Sequence, residues 1–216
     1  MPSELLNCKK GFEVAYNNRY TWPLNFNGYK GNCVFSKDDK TYEGVFSIDK
    51  KFRVNLNNIE NEEIVKLISS QLFEVTIHRV KRDFKKLHSE NNFQLICEDE
   101  KGIEMLVLGK SAGDKYRIKD NKINMVYRKI HGLIVEIFVE EFIDTGLGFL
   151  SKKYTSQQLD NESLMPISPK YSYFDEFINI ENNLWLLNKR TISYLNDQMQ
   201  PINDKFIFEE LITLTE

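Results

Sequence analysis

Apolar and polar residues alternate with a period of two along most of this chain, and one long segment interrupts them with helical spacing. Tyr29, Gly31, Cys33 and Phe35 are separated by Lys30, Asn32 and Val34. The same beat continues through Tyr42, Gly44, Phe46 and Ile48, then Phe52, Val54 and Leu56. Successive side chains on a strand point to opposite faces, so each segment covers one face and wets the other. That is the pattern of an antiparallel sheet with one covered side. Charged links at Lys37-Asp38-Asp39-Lys40 and Asp49-Lys50 join the three strands as a meander.

Two segments carry a helical period. Leu5, Cys8, Phe12 and Ala15 step by three and four, which predicts a helix over 3–18 with Ser3 as its cap and Trp22-Pro23 beyond its end. From Glu60 to Arg82, Ile64, Val65, Ile68, Leu72 and Val75 share one side, while Phe73, Ile77 and Val80 form a second apolar patch. Asn58 or Asn61 can cap this helix, and its acidic start and basic end suit the helix dipole. Two patches predict a helix with two neighbours, one of them the sheet.

Beyond His88 the alternation returns. Strands are expected at Phe93–Cys97, Ile103–Val107, Tyr116–Ile118 and Ile123–Tyr127, and at Leu133–Phe142, which is apolar on both sides and so central or doubly covered. Residues 151–169 are polar and weakly patterned, which predicts a mobile loop. Three more strands follow over 171–178, 184–195 and 205–214. The expectation is an α+β fold, mainly antiparallel β. One large curved sheet or incomplete barrel, in a single domain over 1–216, holds about two helices on its concave side. The helix over 60–82 is the natural plug.

Composition narrows the function classes. The chain has 216 residues, 41% of them hydrophobic and 28% charged, as in an ordinary globular protein. A formal charge of -3 gives no general attraction to nucleic acid or anionic membranes. No signal peptide is expected from Met1-Pro2-Ser3-Glu4, and no segment has the roughly 20 apolar residues that cross a bilayer. Peripheral membrane contact stays open. Three cysteines of unrelated spacing predict free thiols and a cytoplasmic protein.

Motifs with chemical meaning fail on inspection. Gly109-Lys110-Ser111 lacks the upstream glycine of a phosphate loop, since Glu104 stands there, and reads as a hairpin turn. His78, His88 and His131 share no ligand spacing, so no metal or cofactor is expected. Glu136 and Glu140 fall on one face of a strand, where glutamates normally face water. Enzymatic chemistry is therefore not indicated. Two features fit recognition instead. The run from His78 to Lys86, with Arg82 inside it, is either an anion-holding patch or a solvated helix end. Arg19-Tyr20-Thr21-Trp22 sets a cation beside two rings, as a ligand rim or as a structural corner.

The run Ala15-Tyr16-Asn17-Asn18-Arg19-Tyr20-Thr21-Trp22, followed by Phe26-Asn27-Gly28-Tyr29, resembles the opening of an uncharacterised domain family of oxygenic phototrophs. Further matches are Thr76-Ile77-His78-Arg79, Lys81-Arg82 with Phe84, Gly113 with Tyr116, Arg128, and Asp144-Thr145-Gly146 with Gly148. The element order also resembles periplasmic lipoprotein carriers, incomplete barrels with an apolar cavity. These resemblances imply a non-enzymatic binder of a lipid, terpenoid or tetrapyrrole pigment near photosynthetic membranes or antenna. Arg19, Trp22, His78, Arg82, Tyr116 and Arg128 are the candidate ligand-binding residues. The alternative is a ligand-free interaction module, an assembly factor or chaperone with a protein client.

Overall fold

The computed structural model describes the backbone of residues 2–37 and 39–215 and the side chains of residues 7–37, 39–181 and 183–215. The fold is mainly antiparallel β: twelve strands follow one another in a single unclosed sheet in the order β3-β2-β1-β12-β11-β10-β9-β8-β7-β6-β5-β4. Chain order begins with α1 (Pro2–Asn17), β1 (Gly28–Lys37), β2 (Lys40–Asp49), β3 (Val54–Asn57), α2 (Glu62–Arg79) and α3 (Phe84–His88). The remaining strands are β4 (Asn91–Asp99), β5 (Gly102–Gly109), β6 (Lys115–Lys119), β7 (Lys122–Ile130), β8 (Leu133–Asp144), β9 (Phe149–Asp160), β10 (Tyr171–Ile180), β11 (Leu184–Leu195) and β12 (Pro201–Thr213). The expected Ser3 cap lies outside the described side chains.

Residues from distant parts of the chain gather into two compact units. The first comprises Met1–Tyr20, Arg82–Tyr173 and Tyr194–Met199; the second comprises Thr21–Lys81, Phe174–Ser193 and Gln200–Glu216. In the first, α1 lies across β4, β6 and β7. Its stripe of Cys8, Phe12, Ala15 and Tyr16 meets Phe84, Phe93, Met105, Val107, Tyr116 and Ile118 in one core. The steps of three and four between the α1 residues place them on one face, and the inward members of the strands supply the other wall.

In the second unit α2 packs near β3 and buries Ile68, Leu72, Val75 and Thr76. Asn61 is the cap: its side-chain oxygen accepts from the Glu63 and Ile64 amides at 3.0 and 3.2 Å. The second apolar patch differs from expectation, because Phe73 is 52% exposed. Buried within this unit is an arginine. Arg190 donates to both Asp175 oxygens at 2.8 and 2.7 Å and to Gln71 and Glu74 of α2 at 2.9 and 3.4 Å.

Three elements correct the sequence reading. Residues 151–160 are not loop but most of β9, paired with β8 from Asp144↔Phe149 to Leu133↔Asp160. The segment reads polar because only Leu150 and Tyr154 are fully buried, so the backbone ladder carries the strand. The five residues of α3 are a third helix, too short for periodicity to register. Cys97 is exposed although it lies in an alternating run, because β4 beyond Phe93 is exposed on both faces, Leu95 and Ile96 included. Gly109 leads into the β5–β6 turn, as the failed phosphate motif implied.

Candidate functional site

The most elaborate polar arrangement in the first unit surrounds His88. Asp83 caps α3, accepting from the Lys85 and Lys86 amides at 2.8 and 3.2 Å, and the single turn that follows brings Phe84 and His88 to one side. The imidazole lies among the rings of Phe84, Phe12 and Tyr16, with centroids at 4.9, 5.4 and 5.5 Å. Buried Asn91, at the start of β4, donates to His88 Nδ1 at 3.1 Å while its own oxygen accepts the Ser111 amide at 3.0 Å. An amide N–H donor requires Nδ1 to be the acceptor, so this geometry assigns the neutral ring's proton to Nε2.

Its surroundings disfavour the protonated ring. Partial burial lowers its pKa, and the positive charges of Arg128, Arg19 and Lys9 lower it further. Tyr116, beside the same cluster, is pushed up to about 12 by burial, against a smaller opposing pull from Arg128. Arg128 donates to buried Asp114 at 3.2 Å, and Asp114 also accepts the Lys129 amide at 3.0 Å. Arg19 folds back on α1: its Nε donates to the Tyr16 carbonyl at 2.9 Å and its guanidinium lies 3.8 Å from the Tyr16 ring centroid. The turn Asp144–Gly148 secures that corner. Just beyond it the Tyr20 amide donates to Phe149 O at 3.0 Å and the Phe149 amide to Asn18 O at 2.8 Å, and a Cβ on Gly148 would stand 2.8 Å from Asn18 O and Tyr20 N.

A groove of about 490 Å³ opens beside His88, between α1 and α3. Phe84 and His88 provide its rings; Lys9, Lys10 and Lys85 stand around it with Glu13 and Ser89. Lys9 is partly held, donating to the Asn91 carbonyl at 2.9 Å. A second hollow of about 630 Å³ lies at the turns of β4–β5 and β6–β7, lined by Lys101, Lys119, Lys122, Asp120, Glu140 and Phe142 among others. Its charges are mixed and it is open to solvent. Among the described residues, no group of three His, Cys, Asp or Glu side chains could hold a metal ion.

Of the six candidate ligand-binding residues, Arg19, Tyr116 and Arg128 converge on the His88 cluster. The other three do not. Trp22 is a core residue of the second unit, 2% exposed, packed on Phe26 and Tyr29 with its Nε1 donating to Trp185 O at 3.1 Å. His78 is exposed near the end of α2, and Arg82 is exposed just before α3. Sequence reasoning treated His88 as an ordinary polar residue. The available signal was the pairing of Phe84 with His88 four residues on, directly after an Asp cap.

The geometry defines a helix-covered, unclosed antiparallel sheet of the α+β class. The chain belongs to the family described as "Protein of unknown function (DUF3386)", whose model matches residues 3–214. No curated protein matches the sequence. Among solved structures, a DUF1329 family protein from Desulfovibrio piger is similar at 8% identity and a TM-score of 0.29, over 95% of this chain and 92% of that one. A domain described as outer membrane lipoprotein-sorting, from Vibrio parahaemolyticus, is similar at 9% identity and a TM-score of 0.31, over 97% and 94%.

Proposed function

We propose that this protein is a non-catalytic binder of an amphiphile with an apolar body and an anionic end. The observation that carries this is the groove between α1 and α3, lined by the rings of Phe84 and His88 and by three lysines, Lys9, Lys10 and Lys85. Its volume falls within the range of about 300–1,000 Å³ typical of small-molecule sites. Rings supply contact area at little entropic cost, and flexible ammonium groups suit a carboxylate or phosphate held at a solvated rim.

Lipids, terpenoid acids and tetrapyrrole pigments all have this chemistry. The photosynthetic setting belongs to the same reading and rests on the sequence resemblance. A cytoplasmic location is part of the proposal too, supported by the free thiols of Cys8, Cys33 and Cys97, which fit a reducing compartment. The test is native mass spectrometry and an absorption spectrum of protein purified from a pigment-containing host, with an organic extract run beside it. A stoichiometric co-purified amphiphile is expected. Clean, colourless protein that also ignores added fatty acid overturns the reading and favours the interaction module.

A further inference from the structure

The first unit holds apolar side chains out into water in two neighbouring loops. In the β9–β10 loop Leu164, Met165 and Ile167 are exposed, Met165 to 64%; in the β11–β12 turn Met199 is 72% exposed, and Leu195, the last residue of β11, is nearly half exposed. Strand direction puts both loops at the same end of the sheet, because β9 and β11 run parallel to each other on either side of β10. Ring contact between Tyr171 and Tyr194, 5.0 Å apart, ties the bases of the two loops together.

The longer loop is built to keep its apolar residues out. Asp160 accepts from the Glu162 and Ser163 amides and from the Ser163 hydroxyl, at 3.1, 2.7 and 2.8 Å. The Asp160 amide donates to Met165 O at 2.9 Å, and the Ile167 amide to Gln158 O at 3.0 Å. Ser168 Oγ accepts the Gln158 amide at 2.9 Å. These bonds fix the loop backbone in the form that leaves Leu164, Met165 and Ile167 exposed. Such a patch marks a surface that another apolar phase covers.

We propose that this end of the first unit inserts its apolar loop tips into the interfacial layer of a lipid bilayer. Two observations favour lipid over a protein partner. Behind the tips stand Tyr171, Tyr173 and Tyr194, half-buried rings of the amphipathic kind that lie at the level of headgroups. The two loops also carry Glu162 and Asp197 against Lys170. With no basic surplus, adsorption is driven by apolar insertion and not by charge, so zwitterionic vesicles suffice. The inference rests on different residues from the amphiphile groove and stands without it.

The test uses the full chain with vesicles of phosphatidylcholine in a flotation assay. The protein is expected to float with the vesicles in both low and 0.5 M salt. L164D/I167D is expected to reduce the bound fraction more than tenfold, while L24D, a single exposed leucine of the second unit, leaves it unchanged. A Met165→Trp variant is expected to shift its emission to the blue on vesicle addition and to be quenched by brominated lipid. Far-UV circular dichroism confirms that the variants fold. Failure of the native protein to float overturns the proposal, as does flotation of L164D/I167D at the native level. Binding confined to anionic vesicles at low salt, or tip substitutions that alter only self-association, also overturns it.

Discussion

Replacing Arg190 by methionine isolates the energetics of the buried charge network in the second unit. The guanidinium is 2% exposed and the Asp175 carboxylate 3%, with two parallel bonds of 2.8 and 2.7 Å between them. Methionine keeps much of the volume but strands a desolvated carboxylate. Removing one partner of a buried ion pair costs about 3–5 kcal/mol. With a denaturant slope of about 1–3 kcal/mol/M in urea, the midpoint falls by more than about 1 M. R190M/D175L removes both charges and is expected to return to within about 1–2 kcal/mol of the native chain, since a well-packed apolar pair replaces a buried ion pair at little loss. The reporter is built in: Trp22 and Trp185, both in the second unit, are the two tryptophans of the chain. Urea unfolding followed by their fluorescence reads this network directly. A single variant that loses less than about 1 kcal/mol, or a double variant as unstable as the single, refutes the argument from desolvation.

Three further outcomes follow from individual groups. The hydroxyl of Tyr29 is buried without a hydrogen-bond partner among the described residues, and burial pushes its pKa well above the usual phenol value. Tyr29→Phe is therefore expected to raise stability by about 1 kcal/mol in urea unfolding, and a loss of that size would contradict it. Glu74 has its pKa raised, chiefly by burial. A carboxyl of this kind binds more protons folded than unfolded, so its contribution falls as pH rises from about 4.5 through the folded value. In Glu74→Gln that decline is expected to be reduced, measured as the urea midpoint against pH. For His88, lowered by burial and neighbouring cations, the sign is opposite: the neutral ring's contribution is present above about 6.5 and is lost as pH falls toward the folded pKa. Its ring protons, observed by NMR, are expected to titrate below 6.5; a midpoint at or above that value contradicts the assigned environment.

Strand alternation made the sheet legible wherever one face is buried and the other wet, as at Cys33 and Phe35 or Met105 and Val107. It failed at β9, where Lys152, Lys153, Gln157 and Gln158 leave little contrast between faces and pairing with β8 decides the structure. α2 was legible because four buried residues recur at helical spacing and Asn61 caps it. α3 was not, because one turn contains no period. Of the residues the sequence singled out, Arg19, Tyr116 and Arg128 lie around one cluster although they are far apart in the chain, but none of them lines the groove between α1 and α3. His88 and Asn91 stayed hidden, since their roles come from a hydrogen bond and four aromatic neighbours, three of them supplied by other elements. Trp22 looked like a rim residue because a tryptophan beside arginine and tyrosine has the same local sequence whether it faces ligand or core.

The most direct test of the binding account is a titration of the protein with palmitate and, separately, with hexadecanol, followed through the His88 ring resonances. An anion seated at the groove mouth offsets the positive potential of Lys9, Arg19 and Arg128, so palmitate is expected to raise the His88 midpoint. Hexadecanol is expected to bind more weakly and leave the midpoint in place, and K9E/K85E to weaken palmitate binding at least tenfold. Saturable palmitate binding that leaves His88 unmoved, or affinity unchanged in K9E/K85E, would contradict the assignment of the groove between α1 and α3 as the ligand site.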